Sequence, residues 1–381
     1  MDFSLSAQQR ELTEAATAFA RKELNQDLAK RDEAGEFPRD AWRACAKFGV
    51  QGLPVPAELG GAGCDVLTTA LVMEALGYGC QDNGLLFSLN AQMWSVELPL
   101  VIFGTAAQQQ AYLPGLVSGD IIGGHAMTEP GTGSDALHLR SRAERHGDHY
   151  LLTGAKQYIT NAPVADVLLF YAQVADRPGL TGLSAFLVDA RAPGVEITGG
   201  WDKMGLRTSP MGEIALTDCL VPAENRLGPE GAGMAIFNSS MEWERSCLFA
   251  SAVGAMRRQL DACVEYANSR QQFGQPIGKF QAVAGKLADM YVRLEAAKLL
   301  IYRVAWLKQQ GKSAPAEAAA AKLFTSEAWV ASSRDAIQAH GAWGYLKEAG
   351  IERDLRDAIA STIYSGTSEI QRVILARMLG L

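Results

Sequence analysis

The residue periodicity of this chain changes twice along its length, and that limits the folds open to it. Up to about residue 120, apolar residues recur at helical spacing among many Ala, Glu, Lys and Gln. Phe3 to Ala34, Asp40 to Gly49 and Leu67 to Gly77 read as helices, with loops at Glu36-Phe37-Pro38 and Pro54 to Gly63. Between about 121 and 229 the helical period is lost. Short β-rich runs replace it at Tyr150–Leu152, Val167–Tyr171, Ala185–Val188 and Ile214–Leu216. Turn signals such as His146-Gly147-Asp148, Arg177-Pro178-Gly179 and Ala192-Pro193-Gly194 separate them. From about 230 the chain is helical again, in long alanine-rich stretches over Gly231–Ser269, Phe280–Gln310 and Pro315–Gly341, with a last helix within Gly366–Leu381. The expected class is α+β. It comprises an N-terminal α-helical domain over 1–120, a middle β-barrel or sandwich domain over 121–229, and a C-terminal four-helix bundle over 230–381.

Charge and cysteine usage narrow the function. With 42 acidic against 35 basic residues the net charge is −7, which opposes nucleic-acid binding. The six cysteines are dispersed and form no C-x-x-C pair, so a reduced, cytoplasmic chain without a zinc or redox motif is expected. His146 and His149 make an H-x-x-H, but they flank a turn and lack a third ligand, so no metal site is expected. The first residues show no charged segment followed by an apolar one, as a signal peptide would. No apolar run approaches ~18 residues, so no membrane span is expected.

Five segments carry candidate chemistry. Met127-Thr-Glu-Pro-Gly-Thr-Gly-Ser-Asp135 is a Gly-rich turn whose backbone N–H groups and hydroxyls can approach a planar ring or a phosphate. Gly154-Ala-Lys-Gln-Tyr-Ile-Thr-Asn161 places Tyr158 and Thr160 two apart, on one face of a strand. Arg270-Gln-Gln-Phe-Gly-Gln-Pro-Ile-Gly-Lys-Phe-Gln281 links two long helices and offers an arginine for phosphate. Gln338-Ala-His-Gly-Ala-Trp-Gly-Tyr345 follows a long helix. Ile363-Tyr-Ser-Gly-Thr-Ser-Glu-Ile-Gln-Arg372 leads into the last helix, with Thr367 placed to cap it and an anion site at its start. Alone, each of these also fits an ordinary turn, strand or helix end.

Together, in this order and spacing, the five segments resemble the acyl-CoA dehydrogenase family over nearly the whole chain, from Phe37-Pro38 and Pro54-Val-Pro-Ala-Glu-Leu-Gly-Gly61 to the last helix. The resemblance implies FAD, held between the β domain and the C-terminal bundle. By motif position, Met127 and Thr128 match flavin-ring contacts, and Gly133 and Ser134 match pyrophosphate contacts. Tyr158 stands where the family usually has Trp beside the ring, and Thr160 follows. Arg270, Phe273, Ile277 and Gln281 match contacts from a neighbouring subunit. Gln338 and Gly341 match the segment that meets the adenine-side pyrophosphate. Thr367 and Glu369 match the last contacts, although Gln is common at the latter, and Ala342 replaces a usual glycine. The resemblance also implies a homo-oligomer, usually a tetramer. The electron acceptor it implies is a flavoprotein or oxygen.

The family reaction removes an α proton from an acyl thioester while the β hydride goes to flavin N5, so it needs a carboxylate base. In many members a Glu directly precedes the Gly-Thr of the last motif; here that position is Ser365, a poor base without a partner. A replacement stands elsewhere. Phe237, Met241, Leu248, Ala252 and Ala255 form an apolar helical stripe, and its missing member is Glu244. A carboxylate on such a stripe faces the interior, where desolvation suits a general base. The competing reading pairs Glu244 with Arg245 or a neighbouring basic group. Some family members place their base on this helix directly before an Arg, as Glu244-Arg245 does. Arg245 either supports the substrate and the Ser365 loop or pairs with Glu242; both readings stand. Tyr364 and Trp243 are candidates to narrow an acyl cavity. Arg353-Asp-Leu-Arg-Asp357 reads as a structural ion-pair network, and His340 as packing.

The expected function is FAD-dependent α,β-dehydrogenation of a small acyl thioester, on coenzyme A or on a carrier protein, with Glu244 as base. The close alternative is oxidation of a prolyl or similar small group on a carrier protein. Alternatives of another class are a flavin monooxygenase on the same fold, which Glu244 on the stripe argues against, and a nucleic-acid-binding flavoprotein, which the charge opposes.

Overall fold

The computed structural model describes residues 4–136, 138–174 and 181–381. The expected Arg177-Pro178-Gly179 turn and Phe3 therefore lie outside the described residues. The chain opens with α1 (Ala7–Glu23), started by a capping box in which Ser6 and Gln9 satisfy each other's backbone N–H groups. The single helix expected to Ala34 is instead broken after Glu23, and α2 (Leu28–Ala34) follows a left-handed residue, Asp27. Asn25 holds the break: its amide donates to the Gly79 carbonyl at 2.9 Å and accepts from the Gln81 N–H at 2.7 Å. Next come α3 (Arg39–Phe48), α4 (Val66–Gly79), α5 (Asn83–Gln92), a π-helical turn (Met93–Glu97), α6 (Leu98–Phe103) and α7 (Ala106–Ser118). The continuous run Asn83–Phe103 is long and apolar enough, by length and composition, to cross a bilayer. Polar residues break it up in the sequence, and 78% of its apolar window is buried within the fold, so it serves here as a core helix.

The sheet comprises β1 (Gly123–Ala126), β2 (Arg142–His146), β3 (His149–Thr160), β4 (Val167–Val174), β5 (Leu183–Asp189), β6 (Val195–Gly199), β7 (Met211–Pro222) and β8 (Arg226–Leu227). The order is β6-β7-β3-β2-β4-β5-β8, with β1 paired in parallel to β4. Strand β4 is apolar on both faces for a reason. Leu168, Phe170 and Ala172 pack into the interior of the curved sheet, while Leu169 and Tyr171 pack outward with residues of the flanking helices.

The helical end comprises α8 (Gly233–Glu244), α9 (Ala250–Ser269), a short hairpin of β9 (Gln271–Gln272) and β10 (Gln275–Pro276), α10 (Gln281–Gln309), α11 (Pro315–His340), α12 (Ile351–Ser361) and α13 (Ser368–Met378). The stretch expected as one helix from Gly231 is split at Arg245–Ser246, where Ser246 leaves helical geometry (φ −133°, ψ −80°). The acidic and basic cluster at 353–357 lies on α12 and ties distant parts together. Asp354 accepts from Arg258 (2.9 Å) and Asn83 (2.8 Å), Asp357 from Asn83 (2.9 Å) and the Leu206 N–H (2.5 Å), and Arg356 reaches Asp32 (2.7 Å).

Two close contacts fix the frame around the site. Helices α4 and α9 cross at Gly77 and Gly254, where a Cβ would lie 2.0 Å from the Ser251 and Glu74 carbonyls respectively. A buried ion pair joins the first two motifs. Lys156 Nζ donates to Glu129 at 2.9 Å and to the Met127 carbonyl at 3.1 Å. Glu129 also accepts from the Arg140 N–H (2.6 Å) and from the N–H and hydroxyl of Ser141 (3.0 and 2.6 Å). Burial opposes the charge on Glu129, but Lys156 and these donors outweigh it and hold the carboxyl below its usual range. Burial lowers Lys156 to about 8 against the pull of Glu129.

Gly254→Ala is expected to destabilise the fold by about 1–3 kcal/mol through overpacking against α4, read as a lower melting temperature. Lys156→Met is expected to cost about 3–5 kcal/mol by leaving a buried carboxylate unpaired, and Lys156→Met/Glu129→Gln to recover part of the loss in the same melt.

Candidate active site

A cleft of about 960 Å³ opens where the sheet, α8 and the α12–α13 turn meet. Of the expected site residues, Met127, Thr128, Gly133, Ser134, Tyr158, Thr160, Glu244, Arg245, Tyr364, Ser365 and Thr367 line it. Arg270, Phe273, Ile277, Gln281, Gln338, Gly341 and Glu369 are not among its lining residues. The first four lie on the segment from the end of α9 through the β9–β10 hairpin to the start of α10, and Phe273 is 93% exposed. Gln338 and Gly341 lie exposed at the end of α11. Glu369 sits in the first turn of α13, where backbone N–H bonding and Thr367 hold its carboxyl below the usual range. Trp243 does not line the cleft either. It is buried, stacked on Trp94 (5.8 Å) with Lys308 Nζ 4.5 Å from its ring. Tyr364 does line it, wedged between Phe87 (4.6 Å) and Phe249 (5.5 Å).

One wall is built by the first two motifs. Glu129 and Thr132 exchange backbone hydrogen bonds (3.2 and 3.0 Å), and the Thr128 carbonyl accepts from the Gln157 N–H at 2.8 Å, which clamps the loop to β3. Strand β3 carries an extra residue between Lys156 and Ile159, a bulge. Tyr158 takes it at φ +61°, and Tyr158 and Thr160 both border the cleft. The bulge turns Tyr158 outward; the ring is 57% exposed on the cleft and 5.0 Å from Trp201. A left-handed aromatic residue costs about 1–3 kcal/mol, a strain that clusters at functional sites.

The cleft fits a flavin dinucleotide. A Cβ at Gly131 or Gly133 would meet nothing within 4 Å among the described residues, so packing against those residues does not demand glycine there. A ligand laid against the loop backbone does. The buried Thr132 hydroxyl has no hydrogen-bond partner among the described residues. Thr367 caps α13 by accepting from the Ile370 N–H at 3.3 Å, and Gly366, Thr367 and Ile370 border the cleft at that helix start.

The opposite wall holds the carboxylate. Glu244 is the last residue of α8. The apolar stripe read as one helix thus spans a break, yet Phe237, Met241 and Leu248 still border the cleft beside Glu244. Ser95, on the π-helical turn, donates to Glu244 Oε1 at 2.5 Å, and Ser365 donates to Oε2 at 2.7 Å. The Glu244 carboxylate thus lies directly against Ser365, whose hydroxyl holds it. Arg245 resolves toward the Ser365 loop: its Nε donates to the Ser365 carbonyl at 3.3 Å. Its other proposed partner, Glu242, is engaged by Lys308 (2.8 Å), Ser313 (2.8 Å) and the Ala314 N–H (3.1 Å). Gln371 donates to the Ser365 and Gly366 carbonyls (3.2 and 2.8 Å), bracing a turn in which both residues have positive φ.

Two residues of this wall escaped the sequence reading. Ser95 and His125 come from segments far from Glu244 in sequence, and His125 Nδ1 lies 3.8 Å from Glu244 Oε1. The only local signal for His125 is a polar residue in the apolar run directly before the first motif.

Comparison with known proteins agrees with this geometry. Residues 6–120, 124–219 and 231–380 match the N-terminal, middle and C-terminal domains of acyl-CoA dehydrogenases. An L-prolyl-[peptidyl-carrier protein] dehydrogenase of Pseudomonas fluorescens is 45% identical over 91% of this chain and 91% of its own. Among solved structures, the prolyl acyl carrier protein oxidase AnaB is 49% identical with a TM-score of 0.98, covering 99% of this chain and all of that one. PigA with FAD and proline is 42% identical with a TM-score of 0.97, and each chain is covered in full. The chain belongs to the acyl-CoA dehydrogenase family.

Proposed function

We propose that the protein is an FAD-dependent α,β-dehydrogenase of a small acyl thioester, and that the acyl group is a prolyl group on a carrier protein. The observation that carries the reaction is the Glu244 carboxylate, set on the cleft wall between the hydroxyls of Ser95 and Ser365. Glu244 takes the α proton. FAD, when bound, supplies N5 as acceptor of the β hydride. The two serines orient the carboxylate and stabilise its charge before the proton moves, while Arg245 and Gln371 keep Ser365 in its strained turn. The prolyl assignment is supported by the names of the relatives and by the proline in the PigA structure. Coenzyme A thioesters remain the alternative carrier.

Met127, Thr128, Tyr158 and Thr160 are assigned to the flavin ring and Gly133, Ser134 and Thr367 to the pyrophosphate, all from positions on one cleft. Arg270, Phe273, Ile277, Gln281, Gln338, Gly341 and Glu369 stand outside it, and we assign Arg270, Phe273, Ile277 and Gln281 to the flavin of a neighbouring subunit. This implies a homo-oligomer, a tetramer by family habit, working in the cytoplasm with a flavoprotein or oxygen as electron acceptor.

With purified holoenzyme and prolyl carrier protein under anaerobic conditions, flavin bleaching is expected within the first turnover. Glu244→Gln is expected to slow it by about 10²–10⁴-fold with FAD content unchanged. Undiminished bleaching would remove Glu244 from the mechanism. Ser365→Ala is expected to lower kcat by about tenfold, with FAD still bound.

A further inference from the structure

Around Glu244 the cleft wall is largely apolar, lined by Phe87, Phe237, Met241, Leu248 and Tyr364. One imidazole stands among them. His125, on β1, stacks parallel to Phe237 (6.2 Å, 3°) and meets Tyr171 edge-on (5.2 Å, 75°). A saturated acyl chain offers such a ring nothing to bond, and a buried polar atom without a partner is costly.

The neighbours of His125 engage one ring nitrogen and leave the other to the cleft. The Tyr171 hydroxyl oxygen lies 3.2 Å from His125 Nε2, where it can accept the ring N–H. In that tautomer Nδ1 keeps a lone pair. It lies 3.8 Å from Glu244 Oε1, too far for a hydrogen bond between them. Burial lowers the His125 pKa, against the pull of Glu244, which keeps the ring neutral. His125 Nδ1 and the Glu244 carboxylate thus border the same part of the cleft. In an α-aminoacyl thioester the nitrogen is one bond from the carbon whose proton Glu244 takes, which brings it within reach of Nδ1, 3.8 Å from that carboxylate.

We propose that His125 is a specificity-determining residue whose Nδ1 accepts a hydrogen bond from the α-amine of the acyl group, so that the site prefers an α-aminoacyl thioester to a hydrocarbon one. The inference rests on the prolyl reading above and adds the residue that enforces it. Tyr171 is a positioning residue that holds the tautomer through Nε2.

The test compares two thioesters on one carrier protein: prolyl, and cyclopentanecarbonyl, which has the same ring size and no nitrogen. For His125→Leu holoenzyme, kcat/KM on the prolyl substrate is expected to fall about 10–100-fold, while that on cyclopentanecarbonyl changes less than about threefold. His125→Asn, which keeps an acceptor, is expected to restore part of the preference. Should His125→Leu fail to retain FAD, His125→Met carries the same comparison. An equal loss on both substrates, or an unchanged preference, overturns the role of His125 alone. Wild-type enzyme that oxidises cyclopentanecarbonyl but not prolyl carrier protein overturns the prolyl reading, and the inference with it.

Discussion

The site depends on one carboxylate held by two hydroxyls. Glu244 ends α8, Ser95 sits on the π-helical turn of the N-terminal helices, and Ser365 precedes α13. The three meet within 2.7 Å although they are separated by more than a hundred residues along the chain. Each must be delivered by an irregularity. Helix α8 stops at Glu244 because Ser246 leaves helical geometry and turns its hydroxyl back to the Glu242 carbonyl. The π-helical turn, a feature frequent at functional sites, carries Ser95. Ser365 takes a left-handed conformation that few non-glycine residues adopt. The structure tolerates that conformation because Arg245 and Gln371 bond the turn from two sides.

The flavin wall uses the same logic with different chemistry. The Gly-rich loop has no regular structure of its own to fix it. Its Glu129 is anchored by Lys156 from the second motif, at the centre of the wall. A buried ion pair of this kind is weak evidence for stability, but it specifies one position for the loop against β3. That leaves Gly131 and Gly133 open on their outer side and Tyr158 presented by the bulge. The strain at Tyr158 and at Ser365 sits on the two walls of one cleft, as expected where local geometry serves a ligand rather than the fold.

Much of this was legible in the sequence, and the rest was not for identifiable reasons. The alternation of helical and β texture reported the layers, because periodicity reflects which face is buried. Glu244 was readable because a charge on an apolar stripe is rare enough to stand out, and Ser365 because a motif position lacked its carboxylate. Helix α12 was read only as a charge cluster, although Ile351, Leu355, Ala358 and Ile359 recur at helical spacing along it, because the acidic and basic residues that bond to other segments dominate its local pattern. The break between α1 and α2 depends on Asn25 reaching Gly79 and Gln81, which no local propensity reveals. Ser95 and His125 carry no motif at all. Their meaning arises only when folding brings them to Glu244.

The central claim is that Glu244 exchanges a proton with the α carbon of the substrate. The most direct measurement uses enzyme with its flavin held reduced, so that hydride transfer is blocked, incubated with prolyl carrier protein in D2O. Deuterium incorporation at the α carbon is then followed by mass spectrometry. The account predicts steady α exchange by the wild-type enzyme and none above background by Glu244→Gln that retains FAD. Exchange at the wild-type rate in Glu244→Gln would contradict it.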